Sequence, residues 1–239
     1  MASVPLLAAL VIAAATSSRP VLDALRPELE KAAGGAVEIR YGATGALAAL
    51  IRKGAAVDLF LAADDEMIRR LALDGFVEEG SASRCSVGSL AVVSAVDAPF
   101  DLPRRLDGAT ALAFVKLPIR KLAIPDPDSS PEGVAARQVL VASRVFQELK
   151  ERLLPVAGAD EAIAAVRAGE ADAAIVPASL APASGLKWRP VDSTLHKPLR
   201  MTAAVAAASE QKDAARHALA VLTAPASREA WKRAGFSAP

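Results

Sequence analysis

The feature that most limits the fold is a repeated alternation of a short apolar run, a turn of small residues, and a longer stretch with helical spacing. "LAALVIAAAT" precedes "VLDALRPELEKAAGG", "VEIRYG" precedes "GALAALIRKG", and "VDLFLAA" precedes "DDEMIRRLALDG". Apolar runs of this length predict buried strands. The helices between them favour parallel pairing, because parallel neighbours need a long crossover and a helix supplies it. Pro27 falls inside the first helical stretch, where it should kink the helix or confine it to a looser turn. Gly34, Gly35, Gly54 and Gly75 stand where helices should end.

After about residue 84 the rhythm changes. "SVGSLAVVSAV" predicts one long strand, followed by a connection carrying Pro99, Pro103 and Pro118. A second set of strand and helix patterns follows, first in "KLAIPDPD" running on into "SSPEGVAARQVL", then in "LLPVAGADEAIAAVRAGEADAAIVPASLA". "LRMTAAVAAA" then predicts a returning strand, and the last stretch two closing helices. The expected architecture is α/β and two-lobed, each lobe a mostly parallel sheet flanked by helices. Residues 1–84 form the first lobe, residues 85–196 the second, and residues 197–239 return to the first. A ligand would sit between the lobes, where strand ends meet helix starts.

Charge and composition exclude several classes of function. A formal net charge of +1 over 239 residues gives no electrostatic argument for nucleic acid or an anionic membrane, which would want a basic face or block. Cys85 has no partner for a disulfide, and its small neighbours predict a partly buried thiol. His196 and His217 lie far apart without partners at ligand spacing, so no zinc site is expected. Asp58, Asp64 and Asp65 resemble an acid/base set, but Asp64 is better placed as a helix cap with Asp65 and Glu66 in the first turn. Asp126 and Asp128 alternate as in a calcium loop, without the glycine or distal glutamate of one; their prolines predict a rigid turn. No G-x-S-x-G elbow or serine–histidine spacing supports hydrolysis, so neither catalysis nor a cofactor is expected. Trp188 and Trp231 read as packing residues.

Three turns carry the chemistry: "ATSSRP" (Thr16, Ser17, Ser18), "YGATGAL" (Thr44, Gly45) and "SSPEGVA" (Ser129, Ser130, Pro131, Gly133). Each sets hydroxyls or glycine between a strand and a helix. A helix start leaves backbone N–H groups unpaired and carries partial positive charge, so it can hold an anion without Lys or Arg. Ordinary capping accounts for any one of these turns. Three at equivalent strand ends point to an anion site.

The apolar run at residues 4–15 admits two readings: an export signal with a cleavage site near Ala13, Ala14 and Ala15, or a first strand delivering hydroxyls to a helix start. "MASV" carries no cation, and the first, Arg19, lies beyond the run. The run is also shorter than the ~20 apolar residues of a membrane-spanning helix.

Five blocks resemble the periplasmic molybdate-binding proteins of ABC transporters. They are the opening "VIAAATSS", the run "YGATGALAALIRKGAAVDLFLAADDEMIRRL", the stretch Leu122 to Leu140 ("LAIPDPD" and then "SSPEGVAARQVL"), "VRAGEADAAIVPASLA", and the ending "LTAPASREAWKRAGF". That family has the type II periplasmic-binding-protein architecture. The resemblance runs in order over nearly the whole chain, and its most specific element is G-x-[ST]-G-x-L-x-x-x-I-x-x-G-x-x-x-D-x-F-x-x-A-D. It implies capture of molybdate or tungstate as an oxyanion, delivery to a membrane permease, a monomer, no catalysis and no cofactor. It implies a periplasmic or other extracytoplasmic location, with residues 4–15 chiefly as the first strand and any signal peptide upstream of this chain.

Carried over by position, the resemblance makes Thr16 the first oxyanion hydroxyl, where the family usually has serine, and Thr44 the second. Ser17 lies beside the first. Glu132 falls where a small residue offers its backbone N–H, so its amide should point inward and its carboxylate outward. Ala159 should contribute its amide from a helix start. Pro177 stands where the family commonly has a tyrosine donor, and proline donates nothing. Ser179, Ser17 or a water are the expected substitutes. The alternatives are a receptor for sulfate, phosphate or an organic acid, and the effector-sensing domain of a transcription regulator, which would need a helix-turn-helix ahead of the first strand.

Overall fold

A computed structural model describes residues 8–239, in which two five-stranded sheets are each covered by helices on both faces. The first lobe opens with β1 (Leu10–Ala15), α1 (Arg19–Ala24), α2 (Arg26–Ala33) and β2 (Val37–Gly42). It continues with α3 (Thr44–Arg52), β3 (Leu59–Ala62), α4 (Asp65–Leu73) and β4 (Ser83–Gly88). The second lobe comprises β5 (Leu90–Ser94), α5 (Ala111–Val115), β6 (Leu122–Pro125), α6 (Pro131–Ala142) and α7 (Phe146–Leu149). It is completed by β7 (Leu153–Val156), α8 (Ala159–Arg167), β8 (Ala173–Pro177) and β9 (Lys187–Pro190). The chain then returns through β10 (Leu199–Val205), α9 (Lys212–Thr223) and α10 (Arg228–Arg233). Residues 4–7 of the expected first strand lie outside the described residues.

The sheet orders are β2-β1-β3-β10-β4 and β7-β6-β8-β5-β9. β1 runs parallel to β2 and β3, while β10 runs antiparallel to both β3 and β4. β6 runs parallel to β7 and β8, while β5 opposes β8 and β9. In each sheet, therefore, every strand points one way except the one that has just arrived from the other lobe.

Neighbouring side chains on a strand face opposite ways, and the cores follow that period of two. Ile12, Leu59 and Leu61 pack with Leu22, Leu29, Leu219 and Trp231 on one face of the first sheet. Ala13 and Phe60 pack with Leu47, Ile51, Ile68 and Leu71 on the other. In the second lobe Leu122 and Ile124 meet Phe114, Val139 and Leu140, whereas Ala123 and Ala174 meet Ile163 and Val166. Near-continuous apolar strands are what a sheet covered on both faces requires.

Near Pro27 the stretch is not merely kinked but divided: α1 and α2 are separate helices, with Leu25 between them and Pro27 in the first turn of α2. Gly34, Gly54 and Gly75 adopt φ values of 69°, 82° and 75°, left-handed backbone that ends a helix and suits glycine. The single strand expected from "SVGSLAVVSAV" is instead two, β4 and β5, divided at Ser89 and placed in different sheets. Trp231 packs as expected, buried and edge-on to Phe236 with centroids 4.9 Å apart. Trp188 does not, because β9 is an edge strand and leaves it exposed. Cys85 is buried, and burial pushes its thiol up to about 12. Among the described residues no helix is long and apolar enough to cross a membrane.

Candidate functional site

At the carboxyl ends of the parallel strands, a chain of hydrogen bonds links the start of α3 to the start of α6, the start of α6 to the turn Thr16–Ser18 that follows β1, and the start of α8 to Arg19 just after that turn. The contacts joining them pass between the lobes. The Gly45 N–H in α3 donates to the Ser129 carbonyl just ahead of α6, at 2.9 Å. Ser17 Oγ donates to Glu132 Oε1 in α6 at 2.9 Å. Ser179 Oγ, two residues after β8, donates to the Ser17 carbonyl at 2.7 Å. Arg19 Nη1 and Nη2 grip the two carboxylate oxygens of Asp160, in the first turn of α8, at 3.0 and 2.6 Å. The Arg19 guanidinium also lies 4.8 Å from the Tyr41 ring centroid.

Each hydroxyl has one proton to give, so its partners define what remains for a ligand. Thr44 Oγ1 accepts from the Ala63 N–H at 3.1 Å, which anchors the oxygen and leaves its proton free to donate elsewhere. Thr16 is buried and engages in none of the side-chain bonds among the described residues. Ser17 and Ser130 both give their protons to Glu132, and Ser18 gives its own to the Ala15 carbonyl. Ser179 is committed to Ser17, so neither of the two serines expected to replace the missing tyrosine has a spare proton.

The carboxylate of Glu132 reverses the expected orientation. It points inward, 4% exposed, with Oε1 bonded to Ser17 and Oε2 bonded to Ser130 at 2.8 Å. Two buried hydroxyl donors, one from each lobe, hold it there, and a helix start favours negative charge in its first turn. No local signal in "SSPEGV" shows this, because the deciding partner lies 115 residues away.

Ala159 opens α8 after the extended cap residue Gly158, and it is buried. Its N–H is among those that a helix start leaves without an intrahelical acceptor. Pro177 ends β8, opposite Leu90, and lines a cavity of about 10 Å³ together with Ser17, Ser179 and Met201. That is room for about one water. A separate groove, bordered by Gly45, Asp64, Ser129, Ser130, Lys197 and Arg200, opens toward the starts of α3 and α6.

The acidic residues considered for catalysis have structural work. Asp64 caps α4, accepting from the Met67 N–H at 2.6 Å, and burial raises its carboxyl above the ordinary carboxylate range. Asp58 sits at the opposite end of β3, where it accepts from the Val11 N–H and Ser209 Oγ at 2.8 and 2.6 Å. It braces β1, β3 and the approach to α9. Asp126 accepts from the Asp128 N–H at 3.1 Å, closing a tight turn. Among the described residues no group of three or more His, Cys, Asp or Glu is arranged to hold a metal ion.

The family described as bacterial extracellular solute-binding protein matches residues 10–237. The molybdate-binding protein ModA of Azotobacter vinelandii is 30% identical over 233 residues, covering 95% of this chain and 88% of that protein. The molybdate-binding protein ModA of Rhodobacter capsulatus is 28% identical over 205 residues, covering 85% and 78%. Among solved structures, the periplasmic molybdate-binding protein of Azotobacter vinelandii superposes with a TM-score of 0.84 at 25% identity. The superposition covers 96% of this chain and 99% of that one.

Proposed function

The chain belongs to the bacterial extracellular solute-binding proteins, and on that footing we propose that it captures molybdate or tungstate between its lobes and delivers the oxyanion to the permease of an ABC transporter. One observation carries the reading: hydrogen bonds that cross between the lobes tie the start of α3 to that of α6, the start of α6 to the hydroxyl-bearing turn, and the start of α8 to Arg19 beside that turn. Donors of this kind are neutral. Arg19, the cation beside them, is already paired with Asp160, so the grip on a dianion comes from oriented dipoles.

The proposed contacts are the Thr16 and Thr44 hydroxyls, the backbone amides at Thr44, Glu132 and Ala159, and the rim formed by Ser17 and Pro177. Neutral donors suit a carrier: binding stays reversible, and selectivity comes from the size of a ring that cannot shrink cheaply around sulfate. An anion touching both lobes stabilises the closed arrangement over an open one, which gives a permease a surface that differs between loaded and empty states. The protein acts as a monomer outside the cytoplasm, without catalysis and without nucleic acid. A receptor for another small anion is the second reading, favoured by Pro177, which offers no donor where the family commonly has tyrosine.

Calorimetric titration with molybdate, tungstate, sulfate and phosphate tests the choice. Tight binding of the first two, with sulfate and phosphate far weaker, is expected. Tight sulfate binding with no response to molybdate refutes it.

A further inference from the structure

The side chain of Glu132 lies among the groups assigned to the anion, and it is itself an anion. Its two oxygens take the protons of Ser17 from the first lobe and Ser130 from the second. An ionised carboxylate only accepts hydrogen bonds, as a tetrahedral oxyanion does, so the two compete for the same kind of donor. They also repel each other in a site largely withdrawn from water.

Resting on the transport reading above, we infer that Glu132 is a tethered internal occupant of the anion site, which the incoming anion must displace and which therefore sets affinity and selectivity. Bound between Ser17 and Ser130, the carboxylate draws the lobes together before any guest arrives. Once displaced, it frees both hydroxyls for the guest. A protein whose binding-competent arrangement is only partly populated shows an apparent affinity reduced by that fraction. Weak competitors that make fewer hydrogen bonds than molybdate fail to displace the carboxylate, so the tether also sharpens discrimination.

The rival explanation is a purely structural bridge between the lobes, and the two differ in sign. Loss of a bridge alone disfavours closure and weakens binding, whereas if the carboxylate also competes with the guest, the two hydroxyls it gives up outweigh that loss and binding strengthens. Glu132→Ala removes the side chain, and Glu132→Gln keeps its shape while removing its charge. Calorimetry with molybdate should show affinity rising about tenfold to a hundredfold in E132A, the equivalent of one charge-assisted hydrogen bond returned to the guest. E132Q should move in the same direction by less, and it decides the question if E132A does not fold. Small-angle scattering without anion should show E132A more extended than the unmodified protein and contracting when molybdate is added. Unchanged or weaker molybdate binding in the folded variants overturns the role of Glu132 while leaving the transport reading intact. No binding of molybdate, tungstate, sulfate or phosphate to any of the three proteins overturns both.

Discussion

Gly45→Ala isolates lobe closure from the chemistry of the anion. A Cβ added at Gly45 would lie 2.6 Å from the Ser129 carbonyl oxygen, with the Ser129 carbonyl carbon and Cα at 3.2 and 3.3 Å. All three are backbone atoms, so no side chain can turn aside. Because Gly45 belongs to the first lobe and Ser129 to the second, the clash exists only when the lobes are together. Relieving it costs about 1–3 kcal/mol, as overpacking does, and the Gly45 to Ser129 hydrogen bond of 2.9 Å is lost with it, for about 0.5–1.5 kcal/mol more. The sum corresponds to an apparent affinity for molybdate weakened roughly tenfold to a thousandfold. Within α3 itself alanine is the better helix former by up to about 1 kcal/mol, so an open, unliganded protein should keep or raise its melting temperature. Calorimetric titration paired with thermal scanning measures both. An affinity within twofold of the unmodified protein would refute the claim that Gly45 and Ser129 must approach for the anion to be held.

Thr44→Val should lower stability by about 1–3 kcal/mol, because the buried Ala63 N–H loses its acceptor. It should also weaken molybdate binding about tenfold to a hundredfold, with Thr44→Ser near normal in both urea melts and titrations. Cys85, pushed up to about 12 by burial, should resist a thiol reagent at pH 8 in the folded protein and react promptly in denaturant; rapid labelling of native protein would contradict its burial. His196 is buried with Nε2 unpartnered among the described residues, and burial lowers its pKa below the ordinary 6.5. The folded chain thus disfavours the imidazolium, and stability should fall as pH drops below 6.5 toward the folded value. Denaturation at pH 7.5 and 5.0 should show a smaller difference in His196→Gln.

The alternation of apolar and helical stretches predicted the elements of the first lobe because burial on both faces leaves its mark in local composition. Asp64 as a cap, a disturbance of the helix at Pro27 and the left-handed glycines were readable for the same reason: each acts within a few residues of itself. The division at Ser89 was not, since the apolar run continues unbroken through it and hydrophobicity does not record which sheet a strand joins. Nor was the inward turn of Glu132. Its neighbours in sequence are compatible with either direction, and a hydroxyl from the other lobe decides. Trp188 shows the converse limit, a residue type associated with cores lying on an edge strand with one side open to solvent.

The placement of β10 between β3 and β4 governs the order in which the molecule can be assembled. Residues 199–205 are made after every strand of the second lobe, so until then β4 stands apart from β1, β2 and β3, with no strand to join it to them. Pairings that span so much chain form late and slowly. The first lobe therefore cannot complete its sheet until the second lobe has been made, so the two lobes are tied by order of assembly as well as by their shared cleft.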